Sequence, residues 1–245
     1  MEGPSVHRVA DELQRFAGQT VSHVGGNADQ PLDQLTDRRI DAVRAVKKRL
    51  FLDLGTVHIV IHFLMYGSYR VNETRDLDER LRLECTEDTL NVYSCSVKVL
   101  EDGDEELAAY DRPTEDVLSE TFDTEQATKA LLTDDRPVAD VLLDQSVFGG
   151  VGNIVKNEVL WEVGLDPSTP ATTLDEIEAE ELTAVAVEWT ADWYRTKCDG
   201  GELGLSVYQC DSCPDCGAAL EREELGEYDR ITYWCPTCQG PAGSE

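Results

Sequence analysis

The spacing of apolar residues changes character three times along the chain. Over 6–16 (VHRVADELQRF), Val6, Val9, Leu13 and Phe16 recur at helical intervals and predict an amphipathic helix. From about 20 to 110 the period shortens. AVKKRLFLDLG, TVHIVIHFLMYGSYRV, RLRLECTED and LNVYSCSVKVLED are β-rich runs broken by Gly, Asp and Asn turns, which predicts several antiparallel strands. From about 114 to 195 a 3.6-residue period returns in TEQATKALL, VADVLLDQ, GNIVKNEVLWEVG and LDEIEAEELTAVAVEWTADWYRT, with Asp, Thr or Gly near the ends. CDGGELGLS (198–206) reads as a flexible connector, and a cysteine-rich segment follows it. The pattern predicts an α+β chain: a β domain over 1–113, a helical domain over 114–200 and a small metal-bound module over 201–245. No run approaches the roughly 18 apolar residues of a membrane span. No charged region followed by an apolar one marks a signal peptide, so a cytoplasmic protein without membrane contact is expected.

Composition alters this picture in one respect. The 245 residues, 41% of them apolar, suit a globular chain of one or two domains, but 50 Asp and Glu face only 21 Lys and Arg. The net charge of −29 would ordinarily repel nucleic acid. The acids also fit a halophile-type surface that stays hydrated in concentrated salt. Runs such as EDGDEE (101–106) and DEIEAEE (175–181) are spread along the chain rather than gathered in a tail. That spread favours the second reading and makes the few basic residues more informative.

Five of the eight cysteines fall in the last 36 residues, which without export signals points to metal rather than disulfides. CPDC (213–216) and CPTC (235–238) lie 18 residues apart, and the thiolates of Cys213, Cys216, Cys235 and Cys238 suit one closed, tetrahedral, structural zinc site. REELGEYDRITYW between them can form a two-stranded hairpin. Cys210 is a fifth thiol, left outside the set because the two CxxC pairs match each other. Arg230, on the return strand near Thr232, is placed to grip a phosphate, and reads equally well as a solvated surface arginine.

LLDQSVFGGVGNIVKNEVLWEVGLDP (142–167) joins two helices through a turn containing Gly149, Gly150 and Gly152, with Asn153 opening the second helix. Exposed N–H groups at such a start bind phosphate. An ordinary tight corner with an Asn cap has the same spacing.

Taken together, these segments resemble the formamidopyrimidine-DNA glycosylase/endonuclease VIII family, nearly end to end. The glycine turn resembles its helix–two-turn–helix segment. CPDCG…RITYWCPTCQ resembles its zinc finger, including the arginine before the second knuckle. VKKRLFLDLG resembles the strand carrying its conserved lysine, which falls on Lys48, and HFLMYG (62–67) resembles the loop that fills the gap left by an extruded base. EGP at the start and YWCPTCQ near the end are closer to the endonuclease VIII branch. The resemblance implies an N-terminal antiparallel β-sandwich, a helical domain and a zinc-finger hairpin. It implies a monomeric, nucleoid-associated repair enzyme acting on double-stranded DNA with oxidised bases or abasic sites. In that mechanism a nucleotide is flipped out, and by position Leu64, Met65 and Tyr66 fill the void; taken alone these three also suit a buried strand end. An N-terminal amine attacks C1′ to give a Schiff base, and a glutamate protonates the opening sugar. Lys48, Asn153 and Arg230 contact phosphates. His62 receives no role.

MEGPSV departs from the family's usual Met-Pro-Glu-Gly-Pro. Glu2 matches the acid, so Met1 stands where the proline nitrogen belongs, and Ser5 stands where many relatives have Glu. An α-amine with a pKa of about 7.7–8.0 is neutral in roughly a sixth of molecules at pH 7, far more than a lysine. Met1 can therefore form the Schiff base, though without proline's permanently charged iminium and fixed ring. The expectation is an active bifunctional glycosylase and lyase. The alternatives are a damaged-DNA or abasic-site binder with an impaired N-terminus, or a start codon that lies elsewhere.

Overall fold

The computed structural model describes residues 1–240, and the chain divides into two compact units, Met1–Arg112 and Pro113–Glu245. The cysteine module falls in the second unit with the helices.

The first unit is a β-sandwich. α1 (Gly3–Leu13) opens it, with Pro4 in the first turn pre-setting φ and Val6, Val9, Ala10 and Leu13 buried on one face. Two antiparallel four-stranded sheets follow. One has the order β1 (Val21–Gly25), β6 (Leu81–Cys85), β7 (Thr89–Tyr93), β5 (Ser68–Val71). The other runs β2 (Ala42–Val46), β3 (Arg49–Leu54), β4 (Val57–His62), β8 (Ser96–Glu101). Leu81, Leu83, Leu90 and Val92 of the first sheet share a core with Leu50, Leu52, Ile59 and Ile61 of the second and with α1. β3 and β4 do not alternate cleanly because the second sheet is covered on both faces. Phe51, Val60 and Leu100 point outward and are roofed by Leu107 and Tyr110 of α2 (Glu105–Tyr110).

That outer face carries a charged network. Arg44 lies 4.4 Å over the Phe51 ring and pairs with Asp53 and Asp111, each at 2.6 Å. His58 lies between Asp53 (2.6 Å) and Asp102 (3.0 Å). Burial alone would lower the His58 pKa, but the hydrogen bonds with Asp102 and Asp53 outweigh it and hold it above its ordinary value. A group with a raised folded pKa adds stability that is fully present below its unfolded pKa and lost as pH rises through the folded one. Denaturant melts across this pH range should therefore show the native protein losing stability toward alkaline pH, with the slope flattened in His58→Gln. An unchanged slope would remove His58 as its source.

The second unit is helical. α3 (Thr124–Thr133) is capped by Asp123, whose side chain accepts from Gln126 N at 2.9 Å. α4 (Val138–Leu143) leads through the glycine turn into α5 (Asn153–Glu162). α6 (Glu176–Cys198) starts from a reciprocal Asp175/Glu178 capping box. α5 is enclosed nearly all round, so Asn153, Lys156, Asn157 and Glu158 are buried along with its apolar residues. Their polar atoms are directed at the hairpin of the cysteine module, β9 (Glu221–Leu225) and β10 (Arg230–Trp234), and at the segment before it. The α+β class, the sandwich and the hairpin agree with expectation.

Candidate functional site

In the first unit the Met1 amine donates a short hydrogen bond to Leu64 O. The segment it holds is the turn after β4. Phe63 is fully buried, Leu64 takes a left-handed φ of 52°, and Gly67 N donates to Phe63 O at 2.7 Å. A Cβ on Gly67 would come within 2.0 Å of that oxygen, so the turn closes only with glycine. The geometry pushes three successive large apolar side chains into water: Leu64 is 49%, Met65 68% and Tyr66 81% exposed. A strand end buried in the core would show the reverse. Such a cluster marks a contact surface.

Glu2 is the N-cap of α1, with extended backbone; its carbonyl accepts from Ser5 N (3.0 Å) and Val6 N (3.2 Å) while its carboxylate makes no capping bond. Lys48 belongs to the two-residue turn between β2 and β3, where Lys47 takes φ 58° and Val46 pairs with Arg49. These segments meet around His62 at the end of β4. Burial, then the positive charges of Arg49, the Met1 amine and Lys48, bring His62 down to about 4. The imidazole is thus neutral at pH 7, and the amine and Lys48 lie in one electropositive neighbourhood. Sequence reasoning gave His62 no role; its place just before the exposed loop is the signal that could have marked it. Met1 also lines a groove of about 500 Å³ together with Glu12, Arg15, Tyr69 and Arg70. There Tyr69 donates to Glu12 at 2.7 Å, and burial together with that carboxylate pushes the phenol up to about 12.

In the second unit the glycine turn is tied down by Gln145, whose amide donates to Val151 O (3.0 Å) and accepts from Gly150 N (3.1 Å). Gly150 has φ 96°, a conformation L side chains rarely adopt. Gly152, not Asn153, is the N-cap of α5. Asn153 is the first helical residue, and its Nδ2 donates to Ile231 O of β10 at 2.9 Å. The helix start therefore lies against the strand that carries Arg230, which is itself exposed. Lys156, Asn157 and Glu158 are the residues that sequence reasoning missed. Glu158 accepts from three successive N–H groups, of Ser206, Val207 and Tyr208, at 2.8–3.0 Å, and so shapes the connector.

The sulfurs of Cys213, Cys216, Cys235 and Cys238 lie within 4.8 Å of one another. The Cys213–Cys238 and Cys216–Cys235 pairs are 3.8 and 3.5 Å apart. Those separations fit the edges of a tetrahedron with metal–sulfur bonds of about 2.3 Å, so the four can hold one metal ion. Burial would raise the Cys213 thiol, but N–H groups of Cys216 and Asp215 outweigh it and bring it down. Cys210 points instead toward the carbonyls of Leu205 and Tyr208.

Comparison with known proteins follows the same division. Residues 1–98 match the formamidopyrimidine-DNA glycosylase N-terminal domain, and residues 114–191 match the formamidopyrimidine-DNA glycosylase H2TH domain. The chain is 30% identical to endonuclease 8 2 of Mycobacterium bovis, over 97% of this chain and 99% of that protein. It superposes on the MutM (Fpg) protein of Thermus thermophilus with a TM-score of 0.86, at 29% identity, covering 99% of this chain and 100% of that one. The fold is shared with formamidopyrimidine-DNA glycosylase of Lactococcus lactis bound to DNA containing an AP site (TM-score 0.84, 22% identity, 98% of this chain and 99% of that one). The chain spans only 34–58% of the length of the vertebrate endonuclease 8-like proteins it also matches.

Proposed function

The chain belongs to the formamidopyrimidine-DNA glycosylase/endonuclease VIII family, and from that premise we propose that it is a bifunctional DNA glycosylase and AP lyase of base excision repair. It acts on double-stranded DNA carrying oxidised bases or abasic sites, which associates it with the nucleoid. The observation that carries this reading is the Met1 amine hydrogen-bonded to the backbone of the exposed Leu64–Tyr66 loop. A nucleophile and a wedge held together suit a reaction in which extruding a nucleotide must deliver its sugar to an amine.

The damaged nucleotide leaves the stack at a cost of a few kcal/mol, and Leu64, Met65 and Tyr66 occupy the vacated space. The neutral Met1 amine attacks C1′ and the C1′–base bond breaks, the base taking up the proton that the amine loses; Glu2 then protonates O4′ as the C1′–O4′ bond opens, which leaves a C1′=N Schiff base. The resulting Schiff base permits elimination of the 3′ phosphate, which cuts the strand. Lys48 in the first unit, and Asn153 and Arg230 in the second, contact backbone phosphates and set register rather than sequence preference. Cys213, Cys216, Cys235 and Cys238 would hold one structural Zn²⁺; four thiolates are its preferred closed donor set, and it fixes the hairpin that bears Arg230.

A strand-cleavage assay on duplexes with one oxidised base or one abasic site tests the reading. Cleavage at the marked position is expected, and duplex binding without cleavage would contradict it. Replacing Leu64, Met65 and Tyr66 together by alanine should slow excision of a paired oxidised base by about tenfold to a hundredfold, because unstacking loses its compensation. Melting should stay near that of the native protein, since these side chains are exposed.

A further inference from the structure

We propose that Lys156 is a positioning residue that fixes where Arg230 stands; the idea rests on the reading that Arg230 grips a DNA phosphate. Lys156 is only 1% exposed, yet its ammonium points at the zinc hairpin and donates to Thr232 Oγ1 at 2.7 Å. Thr232 is fully buried, and its hydroxyl donates in turn to Arg230 O at 3.0 Å. The relay of ammonium, hydroxyl and carbonyl thus ends on the backbone of the arginine. The neighbouring residues are held from the same helix. Asn153 Nδ2 donates to Ile231 O at 2.9 Å, and Tyr233 N donates to Asn157 Oδ1 at 2.7 Å. Positions 153, 156 and 157 are spaced i, i+3, i+4 and form one face of α5, which engages residues 230–233 of β10 in succession.

A second anchor lies on the other side of Arg230. Glu227 N donates to Asp140 Oδ2 at 3.0 Å, and the Glu227 carboxylate accepts from Arg136 at 2.8 Å. A two-stranded hairpin is marginal by itself, and β9 is exposed along most of its length. The position of β10 is therefore set by α5 beneath it. A slip of one residue along that face would turn the Arg230 side chain to the opposite side of the strand. An apolar residue at 156 would avoid the cost of burying an ammonium. What the lysine adds is a directed bond that selects a single seating of the strand.

The test is DNA affinity measured over a salt series, with a duplex carrying a tetrahydrofuran abasic-site analogue, for R230A, K156M, T232V, T232S and the K156M/R230A double variant. Zinc content and melting are recorded for each. R230A should bind about tenfold more weakly, with the slope of log affinity against log salt reduced by about one, as for one lost phosphate contact. K156M and T232V should reproduce both changes with zinc retained. T232S, which keeps the hydroxyl, should behave as native, and K156M should add less than about twofold on the R230A background. Native affinity and slope in T232V, or full multiplication of the K156M and R230A losses, would overturn the proposal. If K156M does not fold, the T232V and T232S pair decides it alone. Native affinity in R230A would instead defeat the phosphate-grip reading on which the proposal rests.

Discussion

Glu2→Gln should bind damaged duplex as tightly as the native protein and excise oxidised bases about 10²–10⁴-fold more slowly, the range over which a positioned general acid contributes. The structure separates this side chain's chemistry from helix formation. The backbone of Glu2, not its carboxylate, makes the capping contacts that start α1: its carbonyl accepts from Ser5 and Val6 and its φ/ψ are extended. Glutamine keeps the volume and the backbone, so α1 and the seat of Met1 remain. What it lacks is a proton to deliver to the sugar ring as C1′ is attacked. Single-turnover excision and equilibrium binding, measured on one preparation, check the separation. Parallel losses in both would mean that Glu2 holds structure or DNA and is not the acid.

Loss of the metal should have the second large effect. Cys235 is fully buried, with its sulfur 3.5 Å from that of Cys216. Cys235→Ser removes one of four thiolates from a site whose binding free energy, roughly 10–16 kcal/mol for isolated zinc fingers, is also folding free energy. The hairpin has little core of its own: most of β9 is exposed, and only Thr232 and Tyr233 of β10 are buried. Without the metal it should lose its seat on α5, and Arg230 with it. The expected result is metal-free protein by metal analysis and duplex affinity lower by about a hundredfold at moderate salt, with a shallower salt dependence. The His58 network, which lies in the first unit, should keep its pH-dependent stability. A metal-free variant that binds duplex as the native protein does would show that the hairpin contributes nothing to the DNA contact.

What the sequence disclosed, and what it hid, follows from how local each feature is. The CxxC pairs and the glycine turn were legible because each is encoded within a few residues. The strand runs were legible because a half-buried sheet imposes its period on the chain. The short strand Val21–Gly25 left no such trace, since only its first residue is buried. HFLMYG was ambiguous as a string of letters. The left-handed turn at Leu64 and the contact that only Gly67 permits decide that its apolar residues face water. NIVKNEVLWE reads as a helix, but that its polar residues are buried is not written in the segment, because their partners lie about 50 to 80 residues further along the chain. The neutral state of His62 likewise depends on Arg49, Lys48 and the N-terminus arriving from separate segments. Net charge was the least informative level. A total of −29 argues against a polyanionic partner, but a total carries no information on where single cations such as Arg230 stand.

Identity of the nucleophile is the central claim, and borohydride trapping tests it most directly. Untagged protein is mixed with duplex containing an abasic site, reduced, digested, and the cross-linked peptide is sequenced by mass spectrometry. A single cross-link on the α-amine of Met1 is the predicted result, because that amine is hydrogen-bonded to the exposed Leu64–Tyr66 loop and its charge, like that of Lys48, acts on His62. A cross-link on the Lys48 side chain, or none while the duplex remains bound, would contradict the account.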